Sequence, residues 1–303
     1  MTELTVFQKK ISNLLPDLEL RFAETMAKHT SFRIGGAAEV MAFPKNKDEL
    51  SQLLKVSALL DTKPAILGAG TNVLAPDAGL PGLTICLKDC MDGMERIGDT
   101  VIRVAAGVTM TRAAVFAANL GLSGLEFAHG IPGTVGGGVY MNAGAYGGEI
   151  KDVCTAVEVM DMDGNVRTLT RDEMGFAYRH SALEETGDIV LSATFRLTAA
   201  PVEEIKGKMK ELMGKRSASQ PLDLPSAGSA FKRPVGGYAA ALIDQAGLKG
   251  FTVGGAAIST KHAGFAVNVG GATAEDVKNL LHQVSDIVFE RSGIRLEPEV
   301  RIW

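Results

Sequence analysis

EFAHGIPGTVGGGVYMNAGAYGGE, residues 126–149, is the stretch on which the reading of this chain turns. Eight of its 24 residues are glycine: Gly130, Gly133, Gly136, Gly137, Gly138, Gly144, Gly147 and Gly148. An average chain holds roughly 7%. Between them sit Ile131, Val135, Val139, Met141, Ala143 and Ala145. A flexible linker lacks such apolar anchors. The expectation is a packed loop whose amide N–H groups face something anionic or planar, such as a cofactor. The plainer alternative is a tight corner in which glycines fill gaps between crowded elements. Composition alone does not separate the two.

A second glycine unit, LGAGTN at 67–72, follows an apolar run. Gly-x-Gly after a strand suggests a dinucleotide-binding turn of the doubly wound kind. The third glycine of that pattern is absent, since position 73 is Val73, and Pro76, Gly79, Pro81 and Gly82 interrupt any helix that would follow. The unit is therefore read as a phosphate-binding turn of another architecture or as a plain turn.

The 303 residues are 46% hydrophobic, enough for a sizeable core in two or three domains. A net charge of −4 makes a nucleic-acid polymer an unexpected partner, because no basic surplus exists to displace its counterions. No apolar run approaches the roughly 18 residues of a membrane helix. The opening MTELTVFQKKISNLLPDLEL mixes charge with apolar residues and holds no signal-peptide core. No membrane association and a cytoplasmic location are expected. Cys86, Cys90 and Cys154 are read as reduced, mostly buried thiols. The five histidines form no H-x-x-x-H pair, so no metal site is expected.

Along the chain, the spacing predicts helices over 4–15, 47–61, 109–120, 203–219, 237–246 and 273–292. Thr273 with Asp276 resembles a capping box. Strands are predicted over 39–43, 100–106, 155–161, 166–170, 188–197, 251–259, 264–269 and 294–303, the pair 155–161 and 166–170 forming a hairpin through DMDG. YRHS (178–181) is read as a short loop, and SAGSAFKRP (226–234) as a loop into a short strand. Without a uniform βαβ rhythm, the expected class is α+β.

Three polar residues have unusual neighbours. Arg179 in YRHS is either a surface arginine or a fixed cation that stabilises developing negative charge. Ser229, flanked by Gly228 and Ala230, is either a turn cap or a hydroxyl that donates a proton inside a closed site. Glu299 in LEPEVRIW lies on a run in which Val300 and Ile302 are expected to face one way and Glu299, Arg301 and Trp303 the other. It is either a solvated residue or a carboxylate aimed into a cleft. Spacing does not link the three.

A resemblance does. HTSFRIGG (29–36), LGAGTNVL (67–74), GLEFAHGIPGTVGGGVYMNAGAYGGE (124–149), YRHS (178–181), PSAGSAFKRP (225–234), GGAAISTKHAGFAVN (254–268) and LEPEVRI (296–302) are, in that order, similar to the MurB family of UDP-N-acetylenolpyruvoylglucosamine reductases. The match covers nearly the whole chain. It implies an α+β, two-subdomain FAD-binding fold of the vanillyl-alcohol-oxidase type plus a C-terminal α+β substrate-binding domain. The implied parts are a first FAD-binding subdomain over 1–85, with 294–303 near the active site, a second over 86–199, and a substrate domain over 200–293.

The resemblance also implies the chemistry: NADPH reduces FAD, and the flavin reduces the enolpyruvyl ether of UDP-N-acetylglucosamine. The implied cofactor-binding residues are Gly68, Ala69, Gly70, Thr71, Asn72, Gly130, Pro132, Gly133, Thr134, Gly136, Gly137, Asn142, Ala143 and Gly144. Arg179, Ser229 and Glu299 match the catalytic positions, with Ser229 as proton donor. Tyr178, Lys232, Lys261 and His262 are the expected substrate contacts, and a monomer is the expected state. Arg233, Ala257 and Thr71 stand where the family often has Asn, Gln and Ser, which puts individual nucleotide contacts in question but not the reaction. Two other readings stay open: another flavoprotein of the same fold, for which His129 near the glycine stretch offers a covalent attachment point, and a nucleotide-sugar-binding flavoprotein without turnover.

Overall fold

A computed structural model describes residues 3–303. The chain divides into two compact units. The first comprises the segment ending at Phe22, Glu39–Ala69 and Gly82–Lys215; the second comprises Ala23–Ala38, Gly70–Pro81 and Arg216–Trp303.

In the first unit, the five-stranded sheet runs in the order Val166–Thr170, Cys154–Met160, Ile189–Arg196, Val101–Ala105, Met94–Gly98, every neighbouring pair antiparallel. The hairpin Cys154–Met160 with Val166–Thr170 is the one predicted through DMDG. The short helix Val135–Tyr140 lies against the strands Ile189–Arg196 and Val101–Ala105 of this sheet, and the helix Met110–Asn119 packs on that helix, with Ala113, Ala114 and Ala117 buried in the same core. The glycines of Val135–Tyr140 let helix and sheet backbones approach closely, and Ile102, Val104, Val157 and Phe195 belong to the same core. A separate core joins Val40, Leu50, Leu53, Leu54, Leu83 and Ile85, in which the helix Lys47–Leu59 buries its apolar face. The strand Ala65–Leu67 pairs in parallel with Leu80–Cys86 and delivers the chain into LGAGTN. At the start of the chain the helix begins at Val6 rather than at residue 4, because Thr5 caps it, its Oγ1 accepting the Gln8 amide.

In the second unit, an antiparallel sheet runs Ser226–Ser229, Phe265–Asn268, Ala256–Ile258, Thr252–Val253. The helix Ala274–Ser292 lays Val277, Leu280, Leu281, Val284 and Val288 into its core. Its expected capping box is present: Thr273 Oγ1 accepts the Asp276 amide at 3.0 Å, and Asp276 accepts the Thr273 amide at 3.0 Å. Asp77 adds a second cap, accepting the amides of Ala274 and Glu275. The end of the chain, Arg301–Ile302, pairs in parallel with Val73–Leu74.

Three expectations fail locally. The strand predicted over 251–259 is two strands turned at Gly254-Gly255, where φ of Gly254 is +53°. The run 294–303 is extended in register only at Arg301–Ile302, and Ile302 is exposed while Val300 is buried, so the expected alternation does not hold. Pro298, which lacks an amide hydrogen, precedes it. Finally, the loop expected into a strand at 226–234 is itself the strand Ser226–Ser229, with an irregular register around Gly228. All three cysteines are free, as expected, and burial pushes the thiol of Cys154 up to about 12. Among the described residues no cluster of metal-ligating side chains occurs, and no helix is long and apolar enough to cross a membrane.

Candidate functional site

The loop Gly68–Asn72 carries a row of donors without protein acceptors. Among the described residues, the amides of Gly68, Ala69, Gly70 and Asn72 donate to nothing in the chain. Backbone amides removed from water are nearly always paired, so such a run points to an acceptor that the polypeptide does not supply. The conformation is held in place: φ of Gly70 is +61°, a Cβ there would lie 2.0 Å from the His29 carbonyl oxygen, and the Ser31 amide donates to the Gly70 carbonyl at 3.1 Å. Ser31 Oγ donates in turn to the Ser226 carbonyl at 2.6 Å. Ser31 lies within HTSFRIGG, but no residue pattern marks it out, since its partners Gly70 and Ser226 are distant in sequence.

The stretch 130–144 is half helix. Where a packed loop was expected, Val135–Tyr140 forms a short helix capped by Thr134, whose Oγ1 accepts the Gly137 amide at 3.3 Å. Two of its glycines answer to packing: a Cβ on Gly136 would come 3.0 Å from Ala106 Cβ, and one on Gly138 would come 2.7 Å from Met110 Sδ. The amides of Val135, Gly136 and Gly138 are bonded to the carbonyls of Val108, Ala106 and Thr134. The crowded-corner reading therefore holds for this half. The half before it differs, for the amides of Gly130, Gly133 and Thr134 find no acceptor among the described residues. Thr134 also stands against the other glycine unit: its Oγ1 lies 2.7 Å from where a Gly68 Cβ would be. Two donor runs, drawn from different parts of the sequence, thus meet at Gly68 and Thr134. Within the first unit, the unpaired amides of Gly68, Ala69, Gly130, Gly133 and Thr134 fit a dinucleotide pyrophosphate, whose oxygens would supply the missing acceptors.

Asn142, expected among the cofactor contacts, is buried and used internally. Its Nδ2 donates to Glu149 Oε2 at 2.9 Å and to the Ala177 carbonyl at 2.8 Å, and its Oδ1 accepts the Lys151 amide at 3.0 Å. Both amide hydrogens are spent on holding the YRHS turn to the glycine stretch. Ser181, fully buried, holds the same turn from its other side, donating to the Tyr140 carbonyl at 2.8 Å. Between these anchors Ala177 and His180 close a tight turn. Arg179 sits in it at φ +53°, a left-handed conformation that costs a non-glycine residue about 1–2 kcal/mol. Backbone strain of this kind persists where the surroundings over-determine it, often at working sites. The Arg179 guanidinium is half-buried, donates to the Gly144 carbonyl at 3.2 Å and lies 5.2 Å from the Tyr178 ring centroid. Ala143 is held at the base of this arrangement, its amide on the Gly138 carbonyl, while Pro132 is exposed.

In the second unit, Ser229 and Glu299 come together although 70 positions separate them. The Ala230 carbonyl accepts the Glu299 amide at 2.9 Å, Phe231 bridges to Pro298, and the Glu297 carbonyl accepts the Lys232 amide. Ser229 is half-buried, and among the described residues its hydroxyl makes no hydrogen bond. Lys232 Nζ lies 3.5 Å from Glu297 Oε2. Lys261 Nζ donates to the Ser217 carbonyl at 2.7 Å. His262 Nδ1 accepts the Gly264 amide at 3.1 Å, its ring meets Phe265 edge-on, and burial, aided by the Lys249 charge, lowers its pKa. The ring is thus neutral with its hydrogen on Nε2. Arg233 stacks on Tyr238 with its guanidinium carbon 3.9 Å from the ring centroid.

Comparison with known proteins shows the family. Residues 38–170 match the FAD binding domain, and residues 220–303 match the C-terminal domain of UDP-N-acetylenolpyruvoylglucosamine reductase. The UDP-N-acetylenolpyruvoylglucosamine reductase of Agathobacter rectalis is 46% identical over 98% of this chain and 98% of its own. That of Caldanaerobacter subterraneus subsp. tengcongensis is 45% identical over 100% and 99%. The crystal structure of the Thermus caldophilus MurB enzyme superposes on 94% of this chain and 98% of its own, with a TM-score of 0.79 and 36% identity. The chain belongs to the UDP-N-acetylenolpyruvoylglucosamine reductase family.

Proposed function

We propose that the chain reduces UDP-N-acetyl-3-O-(1-carboxyvinyl)-glucosamine to UDP-N-acetylmuramate for peptidoglycan precursor synthesis, with FAD as its cofactor and NADPH as reductant. The observation that carries this is similarity along nearly the full chain to reductases of that name. It spans both the part that matches an FAD binding domain and the part that matches the reductase C-terminal domain.

The amides of Gly68–Gly70, Asn72, Gly130, Gly133 and Thr134 would hold the pyrophosphate, with Gly136 and Gly137 of the same run beside it, and Ala143 and Gly144 would lie along the flavin. FAD, when bound, would supply the two-electron chemistry between NADPH and the vinyl carbon C3 of the substrate. The remaining work belongs to side chains. Once C3 is reduced, charge develops on the substrate carboxylate as an enolate. Arg179, fixed in its turn, is the cation for that charge, and a protonated Glu299 is a hydrogen-bond donor to it. C2 then needs a proton, and the Ser229 hydroxyl, without a partner among the described residues, supplies it. Serine is a weak acid, so this step requires a strongly basic enolate carbon and little water. Tyr178, Lys232, Lys261 and the Nε2–H of His262 are assigned to the nucleotide sugar. A monomer acting in the cytoplasm, and the division at 85/86 and 199/200, belong to the same proposal.

The test is spectroscopic. Purified protein should be yellow, should bleach with NADPH in the absence of oxygen, and should regain its colour on addition of the enolpyruvyl sugar nucleotide. Protein that bleaches but is not reoxidised by that sugar would refute the substrate assignment.

A further inference from the structure

On the first unit, a cavity of about 250 Å³ is lined by Val115, Ala118, His129, Lys206, Met209 and Lys210. No carboxylate lines it. Lys206, Met209 and Lys210 share one face of the helix Val202–Ser219, at spacings of three and four. Lysines on such a charged helix ordinarily find a glutamate, as Lys208 and Lys215 do with Glu211. Among the described residues, Lys206 and Lys210 have no partner.

His129 sets the polarity of the wall. Its Nδ1 is shut away from solvent without a hydrogen-bond partner. A hydrogen placed there would be buried and unsatisfied, so the neutral ring carries its hydrogen on Nε2. Among the described residues Nε2 has no partner either, and it stays open to solvent on a residue that lines the cavity, which leaves it as the ring's available donor. Thr111 Oγ1 donates to the His129 carbonyl at 2.6 Å and fixes the residue in place. Two lysines and one imidazole therefore line a space whose remaining wall, Val115, Ala118 and Met209, is apolar.

We propose that this cavity is a binding site for a phosphomonoester carried on a small apolar group. The two lysine charges match the roughly −1.5 to −2 of such an ester, the imidazole N–H takes one of its oxygens, and the apolar wall takes the group it esterifies. The inference does not rest on the reductase reading.

Phenyl phosphate is the probe, titrated calorimetrically into the full, flavin-loaded chain. A parallel titration follows the imidazole nitrogen resonances. One site is expected, with a shift of the His129 Nε2 resonance on binding. K206Q/K210Q should weaken binding by about tenfold or more, while turnover without the probe stays at the wild-type value. Equal binding in wild type and K206Q/K210Q, an unmoved His129 resonance, or no binding by the wild type would each overturn the assignment.

Discussion

Gly70→Ala is the sharpest probe of the cofactor loop. The left-handed backbone at Gly70, φ +61°, costs an alanine about 1–2 kcal/mol. The new Cβ would also stand 2.0 Å from the His29 carbonyl oxygen, where ordinary contact begins at 3.4 Å. His29 O is backbone, so the loop and the 29–31 segment must separate by roughly 1.4 Å. That movement breaks the bond from the Ser31 amide to the Gly70 carbonyl, worth about 1 kcal/mol. Strain, crowding and the lost bond together give about 3–5 kcal/mol, a large share of a typical 5–15 kcal/mol stability. The assay is denaturant unfolding followed by the fluorescence of Trp303, the only tryptophan. Its amide donates to the Leu74 carbonyl, so it reports on the unit that contains Gly70. Flavin retention through gel filtration is the second readout and should be lost. The contrasting variant is Gly137→Ala: a Cβ there meets nothing nearer than Thr134 Oγ1 at 3.6 Å, and the position is helical. It should gain about 0.5–1 kcal/mol. If Gly70→Ala unfolds at the wild-type midpoint and keeps its flavin, the reasoning from backbone conformation and crowding is wrong.

Ser229→Ala should leave bleaching by NADPH intact and lower turnover of the enolpyruvyl sugar by about 10²–10⁴, the usual worth of a general acid; normal sugar turnover would remove Ser229 from that role. Asn142→Ala should cost about 2–4 kcal/mol, because it strips partners from the Ala177 carbonyl and the Lys151 amide in a buried setting; Asn142→Gly, which relieves the positive φ of +42° but restores no bond, should remain destabilised in the same thermal melt. The Cys154 thiol has its pKa raised by burial from 9.0 to about 12. The unfolded chain therefore loses this proton first as pH rises, and stability should fall across the window from 9 to about 12; in Cys154→Val the fall should be shallower by denaturant midpoints. His262, with its pKa lowered by burial, should be the neutral ring that persists below the ordinary 6.5 in an NMR titration, and its contribution to stability should be lost as acid protonates the unfolded chain below that value.

Much of this was legible before any coordinates. Helices with a clear stripe, such as Lys47–Leu59 and Ala274–Ser292, follow from 3.6-residue spacing, and Thr273 with Asp276 marks the start of the second. The strands Leu20–Thr25 and Met94–Gly98 were not legible. Both carry exposed charged residues on edge positions of their sheets, so no clean apolar alternation marks them. The glycine stretch marked a candidate cofactor site but not which of its glycines answer to packing instead. Gly136 and Gly138 are small because Ala106 and Met110 press on them, and that pressure comes from residues distant in sequence. The same holds for Asn142, whose partners Glu149, Lys151 and Ala177 are visible only in space. Ser229 and Glu299 meet through backbone pairing of 230–232 with 297–299, which no spacing rule anticipates.

The pairing of Arg301–Ile302 with Val73–Leu74 bears on how the polypeptide is made. A ribosome delivers Gly70–Pro81 soon after its partners Ser31 and Gly36, whereas Arg301–Ile302 and the helix Ala274–Ser292 emerge far later in the sequence. Until then Val73 and Leu74 have no neighbouring strand on this side, and Asp77 has no helix to cap. The nascent molecule can condense the five-stranded sheet of the first unit while this segment waits. Contacts so far apart in sequence close slowly and leave apolar surface open in the interval. Translation that stalls before residue 301 should thus yield a chain with one finished half and one that chaperones or proteases must handle.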